Sequence, residues 1–272
     1  KGFRISLLEL TIPMDIDGSN PIDLCGTGGD GTNTFNISTT TAFVVSAMGY
    51  KVIKHGNYGV SSTCGSSNVL EELGYQFTTD SIKLNQQLKE KNICFLHAPL
   101  FHPTLLKVGS IRKELGIRTF FNALGPLVNP VQPEYQLTGT YNLELAKIYQ
   151  HILQGDRTEY RVVFGMNGYD ELTLTDQTRV LGSKDDDYIN ASLFNQSIID
   201  PASIQSGDTI QEAAKILKLI TRGEGTKPQN NVISANVSLA LQCFHPSKPL
   251  KELFNEALEF IESGTAASYH NL

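Results

Sequence analysis

The chain has 272 residues, of which 40% are hydrophobic and 18% are charged. A chain of this length can form one large α/β domain, or a large domain with a small satellite, and this composition excludes wholesale disorder. The formal net charge of -6 at pH 7 argues against a protein that binds nucleic acid through its overall field. Any anionic ligand must therefore be held by local groups, and no nucleic-acid partner is expected.

The four cysteines are scattered along the chain and form no C-x-x-C pair, so neither a zinc knuckle nor a redox motif is expected. We expect reduced thiols that pack as small apolar residues. No run approaches the ~18 apolar residues of a membrane span. The first segment is interrupted by Glu9 and Pro13 and does not resemble a signal peptide. These features favour a cytoplasmic protein that does not contact a membrane.

Short apolar runs alternate with amphipathic stretches from residue 21 onward. The runs at 22–25, 51–54, 93–98 and 160–166 predict buried strands. A solvated turn is predicted at 185–187. The alternation of strands and helices predicts an α/β fold with a mostly parallel central sheet flanked by helices, so ligands should collect beyond the carboxyl ends of its strands. Caps and glycine stops predict helices at 39–48, 69–73, 103–115, 209–221, 232–244 and 250–261.

A glycine-rich loop follows the first strand, from Gly26 through Gly31. Its glycines fit the spacing of a dinucleotide-binding loop, but the second strand ends in Lys54 and His55 instead of the acidic residue that a nicotinamide site uses. A Walker loop is excluded because no Gly-Lys-Ser/Thr follows. Backbone N–H groups of such a loop can approach an anion closely, since glycine has no Cβ. The sequence therefore predicts a phosphate-binding loop.

A second anion site is predicted at the start of the next helix. Asn36, Ser38 and Thr39 place side-chain donors beside the free N–H groups of a helix N-terminus. Lys54 adds a point charge at the end of the second strand, and Ser66 stands at another helix start. Ordinary helix caps and a solvated lysine are the competing interpretations. Two anion sites in series suit a diphosphate or a sugar bisphosphate.

Adjacent carboxylates follow the strand at 160–166. Asp170 and Glu171 are hard oxygen ligands suited to Mg²⁺, which prefers one or two carboxylates together with substrate oxygens and water. A surface turn is the competing interpretation. Arg112 lies in a basic stretch, and a guanidinium there can bind a substrate carboxylate through paired hydrogen bonds. Periodicity does not distinguish which basic side chain of this stretch faces the cleft.

In this order and spacing, these residues resemble the anthranilate phosphoribosyltransferase family, which joins anthranilate to 5-phosphoribosyl 1-diphosphate (PRPP) in tryptophan biosynthesis. The resemblance implies a nucleoside phosphorylase/phosphoribosyltransferase-like fold, two Mg²⁺ ions bound with PRPP, and a homodimer. It extends over about residues 22–264 and rests on blocks at 26–31, 36–39, 54–57, 64–71, 112–116, 122–127 and 170–172.

The resemblance also implies roles for individual residues. It identifies no certain catalytic acid or base, and implies charge stabilisation by Lys54 and by the magnesium-binding residues Ser38, Asp170 and Glu171. Anthranilate is expected to contact Gly26, His55, Asn57 and Arg112, with Arg112 on its carboxylate. The residues expected to hold PRPP are Gly26, Gly29, Asp30, Thr34, Asn36, Ser38, Thr39, Lys54, Ser62 and Ser66.

The family has a helical segment before the glycine loop. Residues 1–20 are therefore expected to be the remnant of a small, N-terminally truncated helical domain and its linker. Residues 21–272 are expected to form the α/β domain that binds PRPP and anthranilate, with the segment near 101–125 packing against the helical domain. Tyr58 stands where many members have Arg, so one phosphate or acceptor contact is expected to differ.

Two other functions are compatible with a fold of this kind but require different sequence features. A pyrimidine nucleoside phosphorylase has a similar fold, but it uses phosphate as nucleophile and carries a different glycine and Lys/Ser pattern. A non-catalytic, nucleic-acid-binding relative should be basic and should lack the metal carboxylates or the loop glycines. This chain is acidic and has both.

Overall fold

A computed structural model describes residues 1–16, 20–59, 64–105 and 120–272. Within these residues, seven strands form one sheet. In chain order they are β1 (Ile22–Leu24), β2 (Val52–Gly56), β3 (Ile93–His97), β4 (Tyr135–Gly139), β5 (Glu159–Gly165), β6 (Thr178–Gly182) and β7 (Asp186–Ile189).

The described residues also form ten α-helices. Four short 3₁₀ helices lie at Phe120–Ala123, Gly125–Leu127, Ala191–Phe194 and Pro201–Ile204. None of the described helices is both long enough and apolar enough to span a bilayer. The α-helices are α1 (Gly2–Glu9), α2 (Ile37–Ala47), α3 (Ser66–Glu72), α4 (Ser81–Lys91), α5 (Ala98–Phe101), α6 (Leu143–Leu153), α7 (Ile210–Thr221), α8 (Lys227–Phe244), α9 (Leu250–Glu262) and α10 (Thr265–His270).

The sheet is mostly parallel, as the sequence predicts. Its strand order is β3-β2-β1-β4-β5-β6-β7. The first five strands are parallel to their neighbours, and β6 and β7 add an antiparallel pair at one edge. After β1 the chain runs outward through β2 and β3, and from β4 it runs outward in the other direction. The point where the direction reverses therefore lies between β1 and β4, and ligands of open α/β sheets bind at such a point.

Helices cover both faces of the sheet. The larger core packs α2, α7, α8 and α9 against one face, through residues such as Leu24, Val52 and Val163. On the other face, α4 packs against β2 and β3, and α6 packs against β5 and β6. Capping boxes begin α7, through Thr209 and Glu212, and α8, through Thr226 and Gln229.

The four predicted strands are confirmed as β1, β2, β3 and β5, with ends that differ by one or two residues. The predicted helices at 39–48, 69–73, 209–221, 232–244 and 250–261 correspond to α2, α3, α7, α8 and α9. The helix predicted at 103–115 lies mostly outside the described residues. The sequence analysis missed β4, β6 and β7. The turn predicted at 185–187 is partly wrong, because the exposed Asp186 and Asp187 begin β7.

The N-terminal residues pack on the body of the protein. Leu7 of α1 joins Leu124 and Val128 in a small buried cluster. The rings of Phe3 and Phe120 lie 4.7 Å apart, measured between centroids. Helix α1 therefore contacts the segment near residue 120. The division of the chain into residues 1–20 and 21–272 stays a prediction.

Candidate active site

The glycine loop after β1 lies at the reversal point of the sheet. Gly28, Gly29 and Gly31 have φ of +58°, +76° and +80°, a left-handed conformation that residues with a Cβ rarely adopt. The backbone N–H of Thr27 donates to the Gly139 carbonyl at 2.9 Å. Gly139 ends β4, so the loop is attached to the strand on the far side of the reversal point.

Close packing accounts for a further glycine at the start of this loop. A Cβ on Gly26 would lie 2.9 Å from Oδ2 of Asp170. The same oxygen accepts a 2.7 Å hydrogen bond from the Gly28 N–H. The glycine loop and the Asp170 carboxylate are therefore in direct contact, although 142 residues separate the bonded pair.

The N-terminus of α2 forms the second part of the site. Asn36 is the N-cap residue, so this helix begins two residues before the sequence prediction. The Nδ2 group of Asn36 donates to the Cys64 carbonyl at 3.2 Å. The backbone N–H of Ser38, in the first turn, donates to Oε1 of Glu171 at 2.9 Å. Helix N-termini favour negative charge, and here a carboxylate already takes that position.

Lys54 connects these elements from β2. Its side chain is 3% exposed, and its Nζ donates to the Leu24 carbonyl and, at 3.2 Å, to Oγ of Ser38. A lysine is rarely buried unless it is paired. The ammonium group lies among the phosphate-binding elements that the sequence predicts. Its positive charge attracts the Glu171 carboxylate and acts to lower the pKa of that group.

Asp170 and Glu171 form a buried acidic pair after β5. Burial raises the pKa of the Asp170 carboxyl above its usual range, and the charge of Asp30 raises it further. Burial also raises the pKa of Glu171, and repulsion from Asp170 adds to this shift. The loop that carries both groups is held from α8, where Nδ2 of Asn236 donates to the Leu172 carbonyl at 2.8 Å. The protein thus holds carboxylates together at an electrostatic cost.

This acidic pair fits a divalent cation. A cation beside the two carboxylates would offset both the repulsion and the burial that raise their pKa values. In the part of the chain that the structure describes, no group of three or more His, Cys, Asp or Glu side chains encloses a metal site. Two carboxylates completed by water and by oxygens of a bound substrate are the coordination that Mg²⁺ prefers. Asp170 and Glu171 are therefore the candidate ligands, and Ser38 lies beside them.

The opposite side of the cavity is less charged. His55 is 1% exposed, and its Nδ1 lies 3.0 Å from the Gly125 carbonyl. Burial and the nearby His102 lower the pKa of His55 to about 3, so its ring is neutral at physiological pH. Its Nε2 is buried and has no partner among the described residues. A neutral ring with a free acceptor nitrogen can bind a donor, but it cannot clamp an anion.

Tyr58 stands at the mouth of the cavity. Its hydroxyl donates to Oε1 of Glu71 at 2.7 Å, and its ring meets His97 edge to face, with 4.6 Å between centroids. His97 in turn stacks on Phe77 at 4.7 Å and contacts Oγ of Ser67 at 2.8 Å. The phenol is therefore supported by an aromatic stack and by its hydrogen bond to Glu71, and it brings no positive charge to the cavity.

The predicted site residues converge on one cavity of about 260 Å³. The predicted Ser62 and Arg112 lie outside the described residues, and the roles of all these residues stay predictions. The predicted residues that line this cavity are Gly26, Gly29, Asp30, Thr34, Asn36, Ser38, Thr39, Lys54, His55, Asn57, Ser66, Asp170 and Glu171.

Sequence reasoning missed several residues of the cavity wall. Leu105, Phe121, Pro126 and Val128 line its less polar side. Leu105 lies in the helix predicted at 103–115 and Pro126 in the block at 122–127, but no pattern indicated that any of the four lines a cavity. The contribution of β4 was also missed: a Cβ on Gly139 would overlap the Asp170 carbonyl at 1.4 Å. Gly139, two residues after the apolar Leu137, was the available signal for a strand end that approaches another backbone.

Comparison with known proteins agrees with this geometry. Residues 18–267 match the glycosyl transferase family, a/b domain. Anthranilate phosphoribosyltransferase of Flavobacterium psychrophilum is 48% identical over 259 residues, which cover 94% of this chain and 78% of that protein. The protein of the same name from Christiangramia forsetii is 46% identical over 266 residues, covering 98% and 80%.

Solved structures give the same relationship. Anthranilate phosphoribosyltransferase from Thermus thermophilus superposes with a TM-score of 0.92 at 29% identity, over 98% of this chain and 81% of that one. The Saccharomyces cerevisiae enzyme in complex with PRPP and Mg gives 0.91 at 30% identity, over 98% and 76%. The buried acidic pair, the glycine loop at the reversal point and these similarities lead to one conclusion: the chain belongs to the anthranilate phosphoribosyltransferase family.

Proposed function

We propose that this protein transfers the phosphoribosyl group of PRPP to anthranilate and releases diphosphate, the phosphoribosyltransferase step of tryptophan biosynthesis. The observation that carries the proposal is the convergence of Gly26, Ser38, Lys54 and the Asp170–Glu171 pair on one cavity. That cavity joins an anion-binding side to a neutral, apolar side. A donor that bears a diphosphate and an aromatic acceptor need these two environments side by side.

The donor side would bind the diphosphate of PRPP. The Gly28 and Ser38 N–H groups already bond Asp170 and Glu171, so the diphosphate would take the remaining N–H groups of the glycine loop and of the first turn of α2. Lys54 adds a full charge that burial keeps from being screened by solvent. These groups stabilise the charge that grows on the leaving diphosphate, which is the main contribution that a protein makes to such a displacement.

Two Mg²⁺ ions are proposed to bind with PRPP. Asp170 and Glu171 would hold them, with Ser38 beside them, and the ions would neutralise the diphosphate as it departs. The yeast relative was solved with PRPP and Mg. The protein's own part is to keep both carboxylates fixed, through the Gly28 and Ser38 N–H groups, before any ion arrives.

The acceptor side would bind anthranilate. Asn57 and His55 line the cavity there, and Arg112 is proposed to bind the acceptor carboxylate. The yeast relative was also solved with 4-fluoroanthranilate. With the anomeric carbon placed between the two sides, the amine nitrogen of anthranilate would bond to it as the carbon–oxygen bond to diphosphate breaks, and one amine proton would leave to solvent or to the diphosphate. This proposal uses positioning and charge stabilisation, and it requires no covalent enzyme intermediate.

A fluorescence assay tests the proposed reaction. We expect anthranilate fluorescence to fall only when the protein, PRPP and Mg²⁺ are all present. Arg112→Ala should raise the KM for anthranilate, and Asp170→Asn should impair magnesium-dependent turnover. Unchanged kinetics in both variants would remove the site assignment.

Two controls address the alternative functions. Release of free base from thymidine or uridine with phosphate would support a nucleoside phosphorylase instead. Tight, salt-sensitive DNA binding without transfer activity would support a nucleic-acid-binding protein.

The proposal also includes a cytoplasmic homodimer. The four cysteines at 25, 64, 94 and 243 are buried, and those at 25, 94 and 243 are free thiols, as in proteins of a reducing compartment. Exposed apolar side chains on α1 and beside it, namely Phe3, Ile5 and Phe120, are available for a subunit contact. Sedimentation equilibrium at micromolar concentration should give twice the monomer mass of 29.9 kDa. A single species at the monomer mass would reject the dimer.

A further inference from the structure

One irregular segment of the cavity wall has an unusual pattern of hydrogen bonds. Residues 123–129, which we call the 123–129 segment, join a 3₁₀ turn to the approach of β4. Five of the six consecutive carbonyls from Ala123 to Val128 accept a hydrogen bond from a side chain. The sixth, that of Leu124, accepts from the Leu127 N–H at 2.9 Å.

The five donors come from five different parts of the fold. They are Tyr149 Oη on α6 to Ala123 at 2.5 Å, His55 Nδ1 on β2 to Gly125 at 3.0 Å, Gln136 Nε2 on β4 to Pro126 at 2.6 Å, Arg4 Nε on α1 to Leu127 at 2.8 Å, and His102 Nε2 after α5 to Val128 at 2.8 Å.

The end of the segment is fixed as well. Nδ2 of Asn129 donates to Oδ2 of Asp23 at 3.0 Å and to the Ile53 carbonyl at 2.9 Å. Asn129 is 0% exposed and Asp23 is 1% exposed. The segment is therefore attached to β1 and β2, the strands that also carry the glycine loop and Lys54.

The donors are themselves held in place. Gln136 is 1% exposed, and its Oε1 accepts a 3.3 Å hydrogen bond from Nε of Arg157. Arg4 is 7% exposed, and its guanidinium also pairs with Oδ2 of Asp156 at 2.7 Å. Supporting side chains that already have fixed partners lose little further conformational freedom when a substrate binds. They therefore keep the wall of a binding site at a defined distance from the substrate.

The position of this segment indicates what it does. Gly125, Pro126 and Val128 line the less polar side of the cavity, opposite the groups that would hold a diphosphate. Loops normally turn their carbonyls to water and stay adaptable. Here five of the carbonyls are bound by buried side-chain donors, so the segment presents a wall of fixed shape to the acceptor.

We infer that Tyr149, Gln136 and Arg4 are positioning residues for the acceptor: through the carbonyls of Ala123, Pro126 and Leu127 they fix the wall against which an aromatic amine lies. The inference rests on the proposed function for the identity of the acceptor. None of the three side chains needs to touch substrate. Their effect is on the distance between the acceptor nitrogen and the anomeric carbon, to which reaction rates are steeply sensitive.

The test is Tyr149→Phe, which removes one hydroxyl and keeps the ring in a fully buried position. We expect the KM for anthranilate to rise about threefold to tenfold while the KM for PRPP stays within about twofold, because one hydrogen bond to the acceptor wall is lost. The matched control is Tyr160→Phe, a second buried tyrosine of the same apolar cluster whose hydroxyl makes none of these bonds. It should change neither KM.

A merely structural role would give a different result. If Tyr149→Phe lowers the melting temperature but leaves both KM values unchanged, or raises both equally, the inference is overturned. Gln136→Glu provides a second variant, since it keeps an acceptor for Arg157 and removes the donor to Pro126. It should shift the anthranilate KM in the same direction, and a shift of the PRPP KM alone would contradict the inference.

Hydrogen exchange separates this inference from the proposed reaction. In Tyr149→Phe, the amides of residues 123–129 should exchange faster, whereas those of α2 should not change. If the wild-type protein fails to consume anthranilate, the proposed function is wrong, and the exchange result still decides whether the five side chains hold the segment. Unchanged exchange in both Tyr149→Phe and Gln136→Glu would show that they do not.

Discussion

Replacing Gly26 with alanine tests the contact between the glycine loop and the acidic pair. The added Cβ would lie 2.9 Å from Oδ2 of Asp170. Ordinary contact begins near 3.4 Å, so the carboxylate must move by about 0.5 Å. That oxygen already accepts a 2.7 Å bond from the Gly28 N–H, so the move strains the loop and displaces a proposed magnesium ligand.

The expected loss follows from this displacement. A shift of 1 Å can cost about 100-fold in rate, so about 0.5 Å should cost about tenfold. Overpacking lowers the free energy of unfolding by about 1–3 kcal/mol. Alanine also restricts the unfolded chain more than glycine does, which raises the free energy of unfolding by about 0.4–1 kcal/mol. We therefore expect kcat to fall about tenfold, the Mg²⁺ requirement to rise several-fold, and the free energy of unfolding to fall by at most about 2.6 kcal/mol.

The assay is initial velocity against Mg²⁺ concentration at saturating PRPP, with a thermal melt of the same sample. Gly155→Ala is the control, because a Cβ there meets only the Ile152 carbonyl, at 4.0 Å. It should keep wild-type kinetics. If Gly26→Ala keeps the wild-type Mg²⁺ dependence, or if its activity is lost only through unfolding, the reasoning from this contact fails.

The remaining predictions concern charge. In the absence of metal, Asp170→Asn should raise the free energy of unfolding by on the order of 1–2 kcal/mol, because it removes a buried charge that Asp30 and Glu171 repel. Its magnesium-dependent turnover should fall at least about 100-fold. A lower free energy of unfolding in this variant would contradict the account of repulsion between the carboxylates. Lys54→Met should raise the KM for PRPP about tenfold or more and leave the anthranilate KM nearly unchanged, measured by initial rates. The pKa of His55 is about 3 in the folded protein and about 6.5 in the unfolded chain. Because the unfolded chain binds the proton more tightly, the stabilising contribution of the neutral ring is complete above pH 6.5 and declines as the pH falls toward 3. Urea melts should therefore show the advantage of wild type over His55→Gln shrinking by about 2 kcal/mol between pH 7.5 and pH 5, and a constant advantage would refute the linkage.

Local patterns indicated many of the residues that line the polar side of the cavity, and their roles stay predictions. The glycine loop and the acidic pair each follow a strand with a clear apolar run, and Lys54 lies within β2, whose carboxyl end the parallel sheet brings beside theirs. The second element of the reversal point, β4, was missed because Tyr135 is only partly buried and the run that follows it is short. Strand β4 is defined by its hydrogen bonds to β1 and β5, and the periodicity of a sequence carries no information about such pairing.

The acceptor side was less predictable for a physical reason. The 123–129 segment is held by side chains whose partners are 10 to 123 residues away in the chain, as for Gln136 and Arg4. Such bonds depend on tertiary packing and leave no periodic pattern. The low pKa of His55 has the same origin, because burial and His102 cause it, and neither is visible near position 55.

The antiparallel strand β7 affects how molecules of this protein meet one another. Its outer edge is unpaired within the described sheet, and an open edge can recruit a strand from a neighbouring molecule. Asp186, Asp187 and Tyr188 are exposed along it. Two such edges brought together would place acidic side chains of like charge face to face. The acidic edge therefore disfavours fibre-like association between molecules of this protein.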